Sequence, residues 1–181
     1  MSRPGFIVNR AFLTVFLLLA GALTAGAQGG DQQRLKAAFV SKFPQFVAWP
    51  AVALADRQSF EICVEGSSAT AADLRELTAG EVFQGRGLVI RDNPSRRDLS
   101  SCQVLFFAGQ RPERDLMARA AVLPILTVSD SPGFLDAGGI IQLNVIERRV
   151  RFEVNLPAAS HAKLTISSQL LRLAAAVRGE R

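Results

Sequence analysis

From Ala11 to Ala25 the chain shows no alternation of apolar and polar positions: Thr is the only polar residue type among Leu, Val, Phe, Ala and Gly. Arg3 and Arg10 precede this run, Ala25-Gly26-Ala27 closes it, and no acidic residue occurs before Asp31. A basic start, an apolar middle and a small-residue end are the parts of an export signal. Cleavage is expected after Ala27, which divides the chain into a removed leader, 1–27, and a mature domain, 28–181, of 181 − 27 = 154 residues. The apolar run of about 15 residues is short of the roughly 20 that a helix needs to cross a bilayer.

Beyond the leader the apolar positions become periodic. Leu35, Ala38, Phe39, Phe43, Phe46 and Val47 recur at steps of three and four, predicting an amphipathic helix over 31–47 that Pro44 interrupts by removing an amide donor. The aromatic stripe reads as core-facing, with a ligand box as the alternative. The pattern then changes to short runs rich in β-branched and aromatic residues at 60–64, 87–91, 104–108, 125–129 and 140–145, which predict strands. Helix-compatible stretches at 69–79 and 112–121 lie between them. A further strand at 149–154 follows 140–145 closely enough to form a hairpin. Asn155 suits a helix N-cap and Pro157 a first turn, so a short helix is expected through Ala162. A last helix, capped by Ser167 or Ser168, would bury Leu170, Leu171, Leu173, Ala174 and Val177. Together these elements predict a single α/β domain with a mostly parallel sheet, helices on both faces and an antiparallel edge hairpin.

Composition alters this picture little, once the leader is set aside. The whole chain is 49% hydrophobic with a formal charge of +5, a mean hydropathy of +0.20 and a pI near 10.2. Removing Arg3 and Arg10 leaves 19 − 16 = +3, and the remaining basic residues alternate with acids, as in Arg91-Asp92 and Glu113-Arg114-Asp115. A nucleic-acid footprint requires clustered positive charge, so nucleic acid is not expected as a partner.

Export gives the two cysteines a meaning. In an oxidising compartment Cys63 and Cys102 tend to pair, and they bridge if the strands at 60–64 and 104–108 are parallel neighbours; two separate core cysteines are the alternative. Other chemistry is sparse. His161 is the sole histidine, and with two cysteines it makes no zinc-ligand spacing, so no metal is expected. Gly85-Arg86-Gly87 and Gly138-Gly139 precede strands, whereas a dinucleotide loop follows one, so no cofactor is expected either. Asp92 and Asp130 stand where strands should end, where turn and capping roles are commonest. No catalytic set can be assembled, and the chain is not expected to be an enzyme.

Three blocks carry a resemblance. Residues 35–50, LKAAFVSKFPQFVAWP, contain a Phe-x-x-Phe-Val-x-Trp-Pro signature; 128–141 contain a glycine-bearing middle; 151–174 form a closing block from Arg151-Phe152-Glu153-Val154-Asn155-Leu156 to Leu173-Ala174. In this order they resemble the YfiR family. The resemblance implies a periplasmic α/β protein that binds and represses the sensor part of a membrane-bound GGDEF diguanylate cyclase. That restraint lowers cyclic-di-GMP and, with it, exopolysaccharide and biofilm output. It also implies that Cys63 and Cys102 correspond to a cysteine pair of characterised relatives; the second pair that some relatives carry near the glycine-rich turn has no counterpart here. Contact with the membrane would come only through the cyclase, and a homodimer stays open. Phe152, Asn155, Leu156 and Ile166 of the closing block are the candidate partner-binding residues, with packing of the hairpin against the final helix as the alternative role. A different class of function is a small-molecule binding module with its ligand in the crevice at the carboxyl end of the sheet, where Arg96, Arg97 and Arg111 would meet an anion.

Overall fold

The computed structural model describes residues 25–94, 99–147 and 149–179. Most of the expected leader, and Arg96 and Arg97 with it, lie outside the described residues. Helix α1, Ala25–Lys42, is followed by a 3-10 turn over Phe43–Phe46 with Pro44 in its first positions. That is the interruption expected from a residue without an amide hydrogen. Next come β1 (Val47–Ala48), the short α2 (Ala51–Leu54), β2 (Ser59–Gly66), α3 (Ser68–Leu77), β3 (Val82–Phe83) and β4 (Arg86–Asp92). After a 3-10 turn at Leu99–Ser101 follow β5 (Cys102–Ala108), α4 (Arg114–Ala121), β6 (Leu126–Ser129), β7 (Ile141–Ile146) and β8 (Arg149–Asn155). The chain closes with α5 (Leu156–His161), β9 (Thr165–Ile166), α6 (Ser168–Leu173) and β10 (Ala176–Arg178).

The main sheet has the order β10-β8-β7-β6-β5-β2-β4-β3. Strands β4, β2, β5, β6 and β7 run parallel, while β7–β8 and β3–β4 are antiparallel. Every residue of β5 is buried. That accounts for its apolar run from Val104 to Ala108, since a central parallel strand is covered on both sides. On one face Phe60, Ile62, Val64, Val104, Phe106 and Val128 pack beneath α1 and α3. On the other, Leu105 and Phe107 pack against Leu116, Met117 and Ala120 of α4 and against Phe134. A separate two-stranded ladder pairs β1 with β9, joining Val47 to Ile166.

The hairpin forms as expected, but it is not the outermost pair. Instead of one long final helix, α6 stops at Leu173, Ala174 is extended, and β10 adds to β8 in parallel. The Ala175 amide donates to the Phe152 carbonyl at 2.8 Å, which opens that ladder. Leu170, Leu173 and Val177 fit a helical face by spacing, yet the free edge of β8 offers the same backbone both an acceptor row and a place for Val177. Tertiary pairing overrode the local pattern.

Helix α1 is also tied to its surroundings by charge. Arg34 makes two hydrogen bonds to Glu76 of α3, and Lys36 reaches Asp130 at 2.7 Å. The Arg34 hydrogen bond, with its charge, holds the Glu76 carboxyl below its ordinary value. Both groups are exposed, so this contact orients more than it stabilises.

Candidate functional site

Two features of the fold bear on function: a covalent bridge on one face of the sheet and an open apolar groove on the other. Cys63 of β2 and Cys102 of β5 form a disulfide with Cα atoms 5.8 Å apart. The two strands are parallel neighbours, as the bridge requires, but parity alone would not have aligned the sulfurs. Cys63 lies opposite Leu105, so side chains at odd-numbered β5 positions share its face, and Cys102 would point away. A register shift corrects this: Glu61 pairs with Cys102 while Ile62 pairs with Val104, leaving Gln103 as an extra residue. The buried Gln103 side chain replaces the missing ladder bonds, accepting from the Glu61 amide at 2.7 Å and donating to the Ser101 carbonyl at 3.0 Å. Both cysteines are buried, beside Leu99 and Phe107.

The groove holds about 250 Å³. Leu35, Ala38 and Phe39 of α1 form one wall, Phe43 and Phe46 of the following turn its end, and Leu170 and Leu173 of α6 the other wall. Phe152 of β8 is the floor, with its ring centroid 6.2 Å from Phe39 and 5.4 Å, edge-on, from Phe43. Among the described residues Lys42 is the one charged residue on its lining, and its ammonium is held by Glu81 at 2.5 Å. At the rim Leu35 is 42% and Leu173 65% exposed. Exposure of this kind at contiguous apolar positions marks a contact surface more often than scattered single residues do.

The four residues expected at the partner surface occupy different places. Phe152 is buried as the groove floor, and Ile166 is buried in β9. Leu156 opens α5 and is half-buried, packed against the core. Asn155 caps α5 by accepting from the Ala158 amide at 3.1 Å and also donates to the Leu135 carbonyl at 3.2 Å. Only Phe152 of the four reaches the groove. The rim residues Leu35, Phe39, Phe46 and Leu173 were expected to face the core, yet Leu35 and Leu173 are exposed. A signal for the first three exists in α1 and the turn after it, which carry two adjacent seams. Ala37, Val40 and Phe43 are buried, whereas Leu35, Phe39 and Phe46 are exposed or half-buried. A single core contact would occupy one seam.

Residues 33–175 match the YfiR/HmsC-like family. The chain belongs to that family. Both cysteines and the whole groove lie inside the matched span. At the family level YfiR/HmsC-like proteins are periplasmic regulators in cyclic-di-GMP signalling, and the family is regulatory rather than catalytic. Among solved structures, the chain is similar to a conserved domain protein of Vibrio cholerae O1 biovar El Tor str. N16961. The TM-score is 0.47 and the identity 15%, over 65% of this chain and 54% of that one. The chain thus spans about half the length of that protein. Among the described residues no helix is long and apolar enough to cross a membrane.

At the carboxyl ends of β2, β5 and β6 a crevice of about 210 Å³ is lined by Ser67, Thr70, Gly109 and Asp130, with Lys36 of α1 above it. Asp130 also accepts from the Gly109 amide at 2.9 Å, so it ties two strand ends to α1. Arg111 lies on a separate exposed cleft with Arg114 and Asp136. Trp49 of the opening signature is buried edge-on against Phe60 and Phe83, and its indole N–H has no hydrogen-bond partner among the described residues.

Asn155 has a measurable structural part in this family domain. Replacing it with Ala removes an N-cap and leaves the Leu135 carbonyl without its donor. The expected loss is about 1–2 kcal/mol of unfolding free energy, read as a fall in the urea midpoint; an unchanged midpoint would contradict the capping role.

Proposed function

We propose that this protein is exported, loses residues 1–27, and binds the periplasmic sensor part of a membrane-bound GGDEF diguanylate cyclase, holding that cyclase in its inactive arrangement. Cyclic-di-GMP and biofilm output fall while the complex lasts. The observation that supports this reading is the groove, with Leu35 and Leu173 exposed at its rim and aromatic rings already packed as its floor. A regulator of this kind shifts its target only by its difference in affinity for the two cyclase states. A preformed groove that spends little ordering entropy on binding suits that task.

Leu173 tests the proposal because it is exposed and its replacement leaves the core intact. Leu173→Asp in the oxidised mature chain is expected to keep the wild-type thermal midpoint within about 2 °C, since surface changes cost little. It should weaken binding to the purified periplasmic domain of the cyclase at least tenfold and raise cyclic-di-GMP in cells to the level of a deletion. Wild-type binding by this variant would remove the groove from the interface. A deletion that leaves cyclic-di-GMP unchanged while the cyclase is expressed would overturn the regulatory reading itself.

A further inference from the structure

At the opposite end of the sheet from the carboxyl-end crevice, a cleft of about 380 Å³ opens between α4 and α5, beside the first residues of β6 and β7. Its walls are Met117 and Ala121 of α4, Ile125 and Ile140 at the strand starts, and Ala158 of α5. Its volume lies in the range of about 300–1,000 Å³ typical of small-molecule sites. Among the described residues no Asp, Glu, Lys or Arg lines it; His161 is exposed on its lining.

The polar groups that face the cleft are unequally committed. Both ends of the Asn155 amide are used, one by the Ala158 amide and the other by the Leu135 carbonyl. Thr127 is different. It is 2% exposed, and its Oγ1 accepts from the Ile140 amide at 3.1 Å. Its own hydroxyl proton is given to no acceptor among the described residues. With the Ile140 amide accepted, the hydroxyl still has its proton to give to one acceptor in the cleft, either water or a ligand.

We infer that this cleft binds a small, uncharged, largely apolar molecule whose carbonyl or ether oxygen accepts the Thr127 proton. The walls supply the apolar contact, and the need is for an acceptor because Thr127 already receives the Ile140 amide. An ionised ligand is disfavoured because the lining offers no counter-charge to offset its desolvation. The site is separate from the groove, so this assignment stands or falls independently of the cyclase reading.

The test uses the oxidised mature chain and three probes of one size: acetophenone, which has an acceptor, ethylbenzene, which has none, and benzoate, which is charged. Titration followed by amide chemical shifts is expected to give saturable binding of acetophenone at millimolar concentration or below, centred on Ile140, Ala158 and their neighbours. Ethylbenzene and benzoate should each bind at least tenfold more weakly. Ala158→Leu fills the cleft from the helix side and should abolish the shifts while the thermal midpoint is kept; Ala121→Leu is the second filling variant if the first does not fold. Absence of saturation with acetophenone means that water alone serves Thr127 and overturns the proposal. Equal binding of ethylbenzene, or binding that persists in a folded filling variant, overturns it as well.

Discussion

Phe152→Ala is expected to cost about 3–5 kcal/mol of unfolding free energy, the range for truncating a buried phenylalanine. The ring is 4% exposed and touches aromatic neighbours from two elements distant in sequence, Phe39 of α1 and Phe43 of the turn after it. Removing it leaves a void that α1 cannot close without moving away from the ion pairs that fix it, Arg34 with Glu76 and Lys36 with Asp130. The lost edge-to-face contact with Phe43 adds to the lost apolar burial. In a domain whose whole stability is of the order of 5–15 kcal/mol, such a loss lowers the urea midpoint steeply. Leu173→Ala, one wall away but exposed, should move it by less than about 0.5 kcal/mol. The pair of variants therefore separates floor from rim. If Phe152→Ala proved as mild as Leu173→Ala, the ring would not be the support on which the groove rests.

That contrast also shows where sequence reading loses resolution. Periodicity put Leu35, Phe39 and Phe43 in one stripe, but depth within a stripe depends on what lies opposite, and Leu35 is exposed where Phe43 is buried. In this protein α6 covers only part of the stripe, because it ends at Leu173 and the chain turns into β10. The truncation of α6 was itself hidden, since Leu170 to Val177 fits a helix and the competing edge of β8 is a tertiary object. The parallel centre was legible because β5 is apolar from Val104 to Ala108, and the hairpin because two alternating runs lie three residues apart. The bulge at Gln103 left no trace in the pattern of apolar residues. An amide in place of an apolar residue at the start of a buried strand was its only mark.

Breaking the Cys63–Cys102 bridge is the second change with a large expected effect, and two ways of breaking it divide the effect into parts. Reduction keeps both sulfurs in the core and releases only the constraint on the unfolded chain. For a sequence separation of 39 the chain-entropy estimate is about 4 kcal/mol. The double substitution Cys63→Ala with Cys102→Ala loses that constraint and also the packing of two sulfurs against Leu99, Leu105 and Phe107, so it should be less stable than the reduced protein. Urea unfolding of the three forms measures this order, and the slope should steepen without the bridge because the freed unfolded chain exposes more surface. Coincident midpoints for the oxidised and reduced forms would show that the bridge contributes no net stability. The bridge belongs to the cluster beneath α4, whereas the groove belongs to the cluster beneath α1 on the opposite face. Below its lowered midpoint, the reduced protein should thus bind the cyclase domain with unchanged affinity, and oxidation would set how long the regulator survives without setting how tightly it binds.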